Sequence, residues 1–231
     1  MFGPGTFTNQ QVNSIVRYVE YLREPQDPGG FSLGLVGPIT EGLIAILVGL
    51  GALMLITRWI EPRGGAMREF FTSDWAPAAD QGSRAEPGHQ YEWAWLLLRY
   101  GRYAGDVRII PVALRLIEFG EKYGVDPVRH VAINACLDNG APVDRTARLW
   151  PQAERIKAGC LAGEMTGEPR YFRIAVEATR VLTGYLDTPL QGLWRDRMQE
   201  DGRFVVEPAP ASSFYHIVSA AAELKRVSDR G

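Results

Sequence analysis

The pattern of apolar and polar positions divides the chain near residue 64. From Gly29 to Thr57 the only charge is Glu41, and Gly42 to Thr57 is apolar or small throughout. Trp59 and Ile60 carry that run past Arg58. Roughly 19 helical residues rise about 28 Å, close to the thickness of a bilayer core, so residues at about 42–60 are predicted to form one transmembrane helix. Upstream, Val12, Ile15, Val16, Val19 and Leu22 recur at helical spacing between Asn9 and Arg23. Thr8 is placed to cap that amphipathic helix, and Pro25, Pro28, Gly29 and Gly30 end it. Arg58, Arg63 and Arg68 follow the apolar span, whereas the nearest preceding positive residue is Arg23. The positive-inside rule then predicts a membrane-anchored protein with its C-terminal domain in the cytoplasm. Were the N-terminal segment not a true anchor, the expectation would be cytoplasmic. Met1 does not open a secretory signal peptide.

Residues 65–231 change character and read as helices over Gln90–Ala104, Val107–Tyr123, Thr146–Leu161, Arg170–Leu186 and Phe214–Arg226. The second shows its buried stripe, with Ile109, Val112, Ala113, Leu116, Phe119 and Tyr123 on one face. Between the last two helices, Leu193–Asp196 and Arg203–Val206 flank Glu200-Asp201-Gly202, which predicts a β-hairpin. Successive helix pairs point to an all-α toroid or solenoid with one short hairpin rather than to a bundle.

Composition narrows the chemistry. Lys and Arg number 25 against 27 Asp and Glu, with no dominant basic stripe, so a nucleic-acid partner is not expected. Cys136 and Cys160 have neither haem-attachment nor zinc spacing and read as buried small residues. There is no cluster of metal ligands and no glycine-rich phosphate loop after a strand, so neither metal nor cofactor is expected.

Three islands carry candidate chemistry. In Pro87-Gly88-His89-Gln90-Tyr91-Glu92-Trp93-Ala94-Trp95, a Pro-Gly turn delivers His89 to a helix start, with Glu92 one turn on along the same face. The helix N-terminus favours a neutral imidazole, while the neighbouring carboxylate pulls the other way and fixes the tautomer. A capping histidine beside a solvated glutamate explains the same pattern. In Arg148-Leu149-Trp150-Pro151-Gln152-Ala153-Glu154, Trp150 could stack on a sugar face and Glu154 could hold hydroxyls; core filling and a solvated first turn are the plainer reading. In Pro210-Ala211-Ser212-Ser213-Phe214-Tyr215-His216, a histidine follows a Ser-Ser cap. His130 has no such context and reads as structural.

Together, P-G-H-x-x-E-W-x-W-L-L, R-L-W-P-Q-A-E and P-A-S-S-x-Y-H-I, in this order, resemble the C-terminal half of the N-acylglucosamine 2-epimerase and mannose isomerase superfamily over residues of about 66–226. The resemblance implies part of an (α/α)6 barrel, about half of it, with the site in its central mouth. It implies that His89 and His216 are an acid/base pair, that Glu92 orients His89, and that Trp150, Glu154 and Ser213 bind the monosaccharide substrate. A cofactor-independent isomerase or 2-epimerase of a mannose- or glucosamine-like sugar, working through an enediolate, is the function implied. Separately, FGPGTFT, IVRYVEYLR and PGGFSLGLVGP followed by one membrane helix resemble the tail of the dihaem cytochrome c subunit of actinobacterial-type cytochrome bc complexes, over residues of about 2–64. The haem-binding segments of that family have no counterpart here.

The expected organisation is therefore residues 1–64 as an amphipathic helix plus anchor, and residues 65–231 as half of an isomerase-like barrel. Two histories fit: a fused or truncated reading, or a membrane-tethered isomerase whose missing half comes from a second chain. The first is the expectation, and with it weak or absent activity of the chain alone. The alternative function is a membrane-anchor remnant of a cytochrome bc complex without haem sites.

Overall fold

In a computed structural model of the chain, the structure describes residues 65–229 apart from positions 75, 80, 81 and 191. The predicted transmembrane helix at about 42–60 and the amphipathic helix before it lie outside the described residues. Among those described, no helix is long and apolar enough to cross a membrane.

Five α-helices dominate. Helix α1 spans Pro87–Ala104, α2 Ile110–Tyr123, α3 Leu149–Thr166, α4 Pro169–Leu186 and α5 Ser213–Ser228. Pro87 opens α1 and Pro169 opens α4, where the missing N–H costs nothing. Gly105 and Gly167 end α1 and α3 in the left-handed region, and the amide of each closes the last turn. A 3-10 turn over Val107–Ile109 precedes α2, so the predicted second helix is two elements. Its stripe is as read: Ile109, Ala113, Leu116 and Phe119 are buried, with Val112 and Tyr123 packed beside them.

Helix α3 is the hub. It packs on α1, α4 and α5, and every residue from Pro151 to Gly163 is buried. The apolar core falls on either side of it. Tyr91, Leu97, Leu98, Leu116, Ile117 and Leu161 form one cluster, and Leu149, Ile156, Leu182 and Tyr185 another. Because water is excluded all round α3, each polar group it carries inward must find a partner. Gln152 does so by clamping Ala132 from both sides: the Ala132 amide donates to Oε1 at 2.8 Å and Nε2 donates to the Ala132 carbonyl at 2.9 Å. Gln90 in α1 holds Met67 the same way, at 2.7 and 2.8 Å. The Arg155 guanidinium, fully buried, donates to both oxygens of Glu121 at 2.6 and 2.7 Å, to Glu177 at 2.5 Å and to the His130 carbonyl at 3.0 Å. Burial alone would depress its pKa, but the Glu121 hydrogen bonds and neighbouring charges outweigh that and keep it charged.

The fold is mostly helical with small sheets, which amends the all-α expectation. Strands β1 (Arg84–Ala85), β2 (Ala135–Leu137) and β3 (Pro142–Asp144) form an antiparallel sheet in that order. Strand β4 (Ala147–Arg148) pairs antiparallel with β5 (Arg197–Met198). The hairpin expected from Leu193–Asp196 and Arg203–Val206 is displaced. Its turn is present, with Gly202 at φ +84° and the Gln199 amide donating to Arg203, but the first strand is β5, bridged to Phe204. Asp196 is engaged elsewhere: its carbonyl accepts the Leu149 amide at 2.8 Å and its carboxylate accepts from Arg148 and Ser213. The third predicted helix also moves, because residues 147–148 are drawn into β4 and α3 runs on to Thr166.

Replacing Arg155 by Ala removes the guanidinium that bridges Glu121, Glu177 and the His130 carbonyl, leaving Glu121 with Tyr91 and Glu177 with His130 as their remaining partners. Urea denaturation is expected to show a loss of about 3–5 kcal/mol, as for other broken buried ion pairs. A loss below about 1 kcal/mol would show that this network is not needed for stability.

Candidate active site

The first turns of α1 and α3 and the start of α5 converge on one cavity of about 360 Å3, within the range of small-molecule sites. It is lined by Glu86, His89, Glu92, Arg148, Trp150, Ser212, Ser213 and His216. Residues from all three sequence islands therefore meet. Trp150 packs against both imidazoles, its ring centroid 5.0 Å from that of His89 and 5.6 Å from that of His216. The α1 backbone comes in close at this point: a Cβ on Gly88 would lie 2.3 Å from Trp150 Cη2, so glycine is required there.

Each imidazole is backed by a carboxylate. His216, with 19% of its side chain exposed, has Nδ1 2.6 Å from Glu154 Oε1. Facing a carboxylate, Nδ1 carries the hydrogen and leaves Nε2 as the free nitrogen. Glu154 is fully buried and reaches Lys157, one turn along α3, at 2.8 Å. Lys157 is buried too, and its ammonium lies 4.0 Å from the centre of the Trp95 ring. The expectation that Glu154 binds sugar hydroxyls is therefore corrected: no part of it is exposed, and it holds a histidine and a lysine instead. Ser213 is likewise buried and donates to Asp196 at 2.6 Å, with Arg148 on the other carboxylate oxygen at 3.2 Å.

His89 sits in the first turn of α1 with 37% of its side chain exposed, and its Nδ1 lies 2.8 Å from Glu69 Oε2. The partner that sequence reasoning expected was Glu92. The carboxylate in hydrogen-bonding position belongs to Glu69, from the segment ahead of β1. Glu92 instead lines the cavity, where burial and then the Glu154 charge push its pKa up. Burial by itself would lower the His89 pKa. The Glu69 hydrogen bond and charge, with Glu86 and Glu92 adding to them, raise it above the ordinary histidine value. His130 is absent from the cavity; its Nδ1 pairs with Glu177 at 2.7 Å on an exposed surface. Sequence reading passed over Glu86, Arg148, Ser212, Lys157 and Asp196 as site or supporting residues. Arg148 and Ser212 lay inside the motifs already singled out, whereas Glu69 and Asp196 had no signal of their own. Among the described residues no group of His, Cys, Asp and Glu could hold a metal ion. Both cysteines are buried, and burial pushes their thiols up, to about 12 for Cys136 and about 11 for Cys160.

A pocket holding two carboxylate-backed imidazoles and an indole suits proton transfer on a small polar ligand, and comparison with known proteins gives that chemistry a family. The profile of the N-acylglucosamine 2-epimerase (GlcNAc 2-epimerase) family matches residues 51–220, and the chain belongs to that family. Among curated relatives, the mannose-6-phosphate isomerase of Rhizobium meliloti (strain 1021) is 46% identical over 178 residues, covering 75% of this chain and 46% of that one. The solved cellobiose 2-epimerase of Spirochaeta thermophila superposes with a TM-score of 0.73 at 16% identity, over 87% of this chain and 51% of that one. The fold thus resembles that of the epimerases, as the (α/α)6 expectation required, and the chain spans about half the length of these relatives. A relative of another kind, the cytochrome bc1 complex cytochrome c subunit of Corynebacterium diphtheriae, is 34% identical over 62 residues, 25% of this chain. That supports the second resemblance over a short stretch only.

Substituting Gly88 by Ala should force Trp150 away from α1. The expected result is a loss of about 1–3 kcal/mol in urea denaturation, from overpacking. A variant of unchanged stability would mean that Trp150 is free to move.

Proposed function

We propose that residues 65–231 carry the acid/base half of a cofactor-independent sugar isomerase or 2-epimerase. The observation that supports this most directly is that His89 and His216, each with Nδ1 on a carboxylate, line one cavity and both pack against Trp150. Moving a carbonyl between C1 and C2, or inverting C2, needs removal of an α-proton and its return to C1 or to the other face of C2. An imidazole can take and give such a proton near neutral pH, and each transfer is worth about 10²–10⁴-fold.

The two rings divide the work by their surroundings. In this reading His216, oriented through Nδ1 by the Glu154–Lys157 pair, is the base and acts through Nε2. His89 faces Glu69, Glu86 and Glu92, which favour its protonated form, and it supplies the proton that the developing enediolate oxygen needs. Trp150 forms the floor on which an apolar sugar face rests. Ser213, tied to Asp196, holds the α5 start and so His216 in place.

The substrate in this reading is an unphosphorylated mannose- or glucosamine-like sugar. The Rhizobium relative is named for mannose 6-phosphate, but Arg148 is the only Arg or Lys among the described lining residues, and Asp196 already accepts from it.

The test is hydrogen exchange at C2 in D2O across a panel of aldoses that includes mannose, N-acetylglucosamine and mannose 6-phosphate. His216→Asn is expected to lower exchange by about 10²–10⁴-fold. Exchange at the unaltered rate would remove His216 from the chemistry.

A further inference from the structure

We infer that Glu69 is a positioning residue for His89: it fixes which ring nitrogen carries the hydrogen and holds the ring in its proton-donating form. This rests on the reading of His89 as part of the acid/base pair and adds a residue that none of the three motifs contains.

Glu69 lies outside every helix and strand, 20 positions before His89, yet its carboxylate is held from both ends. One oxygen accepts the Glu86 amide at 2.9 Å, immediately before α1 begins; the other meets His89 Nδ1 at 2.8 Å. With only 11% of its side chain exposed, the carboxylate has little room to rotate between water and the ring. The segment that carries it is held as firmly. Gln90 clamps the Met67 backbone through two hydrogen bonds, the Glu69 amide donates to the Arg84 carbonyl at 3.0 Å, and Arg68 pairs with Asp138 at 2.7 Å. Residues 67–69 are therefore attached to the first turn of α1, the same turn that presents His89. A glutamate on a mobile loop would be a screened surface charge; this one moves with the ring it serves.

Its geometry has two chemical effects. A carboxylate facing Nδ1 makes that nitrogen the donor, so in the neutral ring the lone pair falls on Nε2, the nitrogen left for substrate. The negative charge also favours the imidazolium. The charged and titratable groups that face His89 are Glu69 from this segment, Glu86 ahead of α1, Glu92 within α1, and, across the cavity, Arg148 and His216. Glu69 alone among them is hydrogen-bonded to the ring. Glu86 is 3.7 Å away and is paired with Arg84.

Long-range 1H–15N spectra of the histidine rings test this in the unaltered full chain before any substitution is made. Neutral His89 should show Nδ1–H with Nε2 unprotonated, and the reverse tautomer overturns the inference whatever the variants do. In Glu69→Gln, the His89 titration midpoint should move down while that of His216 stays in place, and the Nδ1–H preference should weaken. Glu69→Asp should recover part of both. Exchange at C2 should fall at least on the order of 10- to 100-fold in Glu69→Gln, in kcat rather than KM, the range seen when a carboxylate that orients a metal-bound histidine is removed. An unmoved His89 titration in a folded Glu69→Gln protein contradicts the inference. A moved titration with unchanged exchange leaves the Glu69–His89 pairing intact and instead contradicts the assignment of His89 to catalysis.

Discussion

A carboxylate removed from water must find a counter-charge or give up its own, and Glu154 meets that constraint at the centre of this protein. It is fully buried in a helix that is itself enclosed by three others. Its partners, Lys157 within the same helix and His216 at the start of α5, are what allow α3 to carry charge through the core. Glu154 and His216 are 62 positions apart, so their contact also joins α5 to the hub. The site is thus not an attachment to a finished scaffold. Satisfying the core and orienting the His216 imidazole are one event.

The second imidazole is supported by different means. His89 is carried on the first turn of α1, and the carboxylate behind it belongs to a segment without regular structure that is held down by Gln90, Arg84 and Asp138. The device repeats at α3, where Gln152 clamps Ala132 as Gln90 clamps Met67. In both cases a buried glutamine near a helix start fixes the chain that leads past the cavity. The two dyads therefore differ in their electrostatics. One carboxylate is offset by an ammonium and the other sits among further carboxylates, the contrast on which the proposed division of acid and base rests.

Much of the helical frame was legible because α2 and α4 bury one face and expose the other, leaving a periodic stripe. Helix α3 was legible in existence but not in extent or role. Enclosed on all sides, it has no polar face to mark its orientation, and the plainer reading of Glu154 in its core was a residue solvating the first turn. The family resemblance implied that Glu154 binds the sugar; in the structure its carboxylate is held by His216 and Lys157. The β1–β2–β3 sheet was invisible because strands of two or three residues are too short to alternate. Glu69 was missed for a similar reason. Its partner is at hydrogen-bonding distance in space but 20 positions off in sequence, with no periodic element between to relate them. Trp150, His89 and His216 were recoverable because each lies in a short motif dense in turn formers and aromatics.

The account stands on both imidazoles addressing one ligand. The most direct measurement is a titration of the full chain with D-mannose, followed through the ring 1H–15N resonances of all three histidines. His89 and His216 should shift along a single saturation curve while His130, out on the Glu177 surface, stays still. Two different curves, or a response confined to one of the two rings, would contradict a shared site.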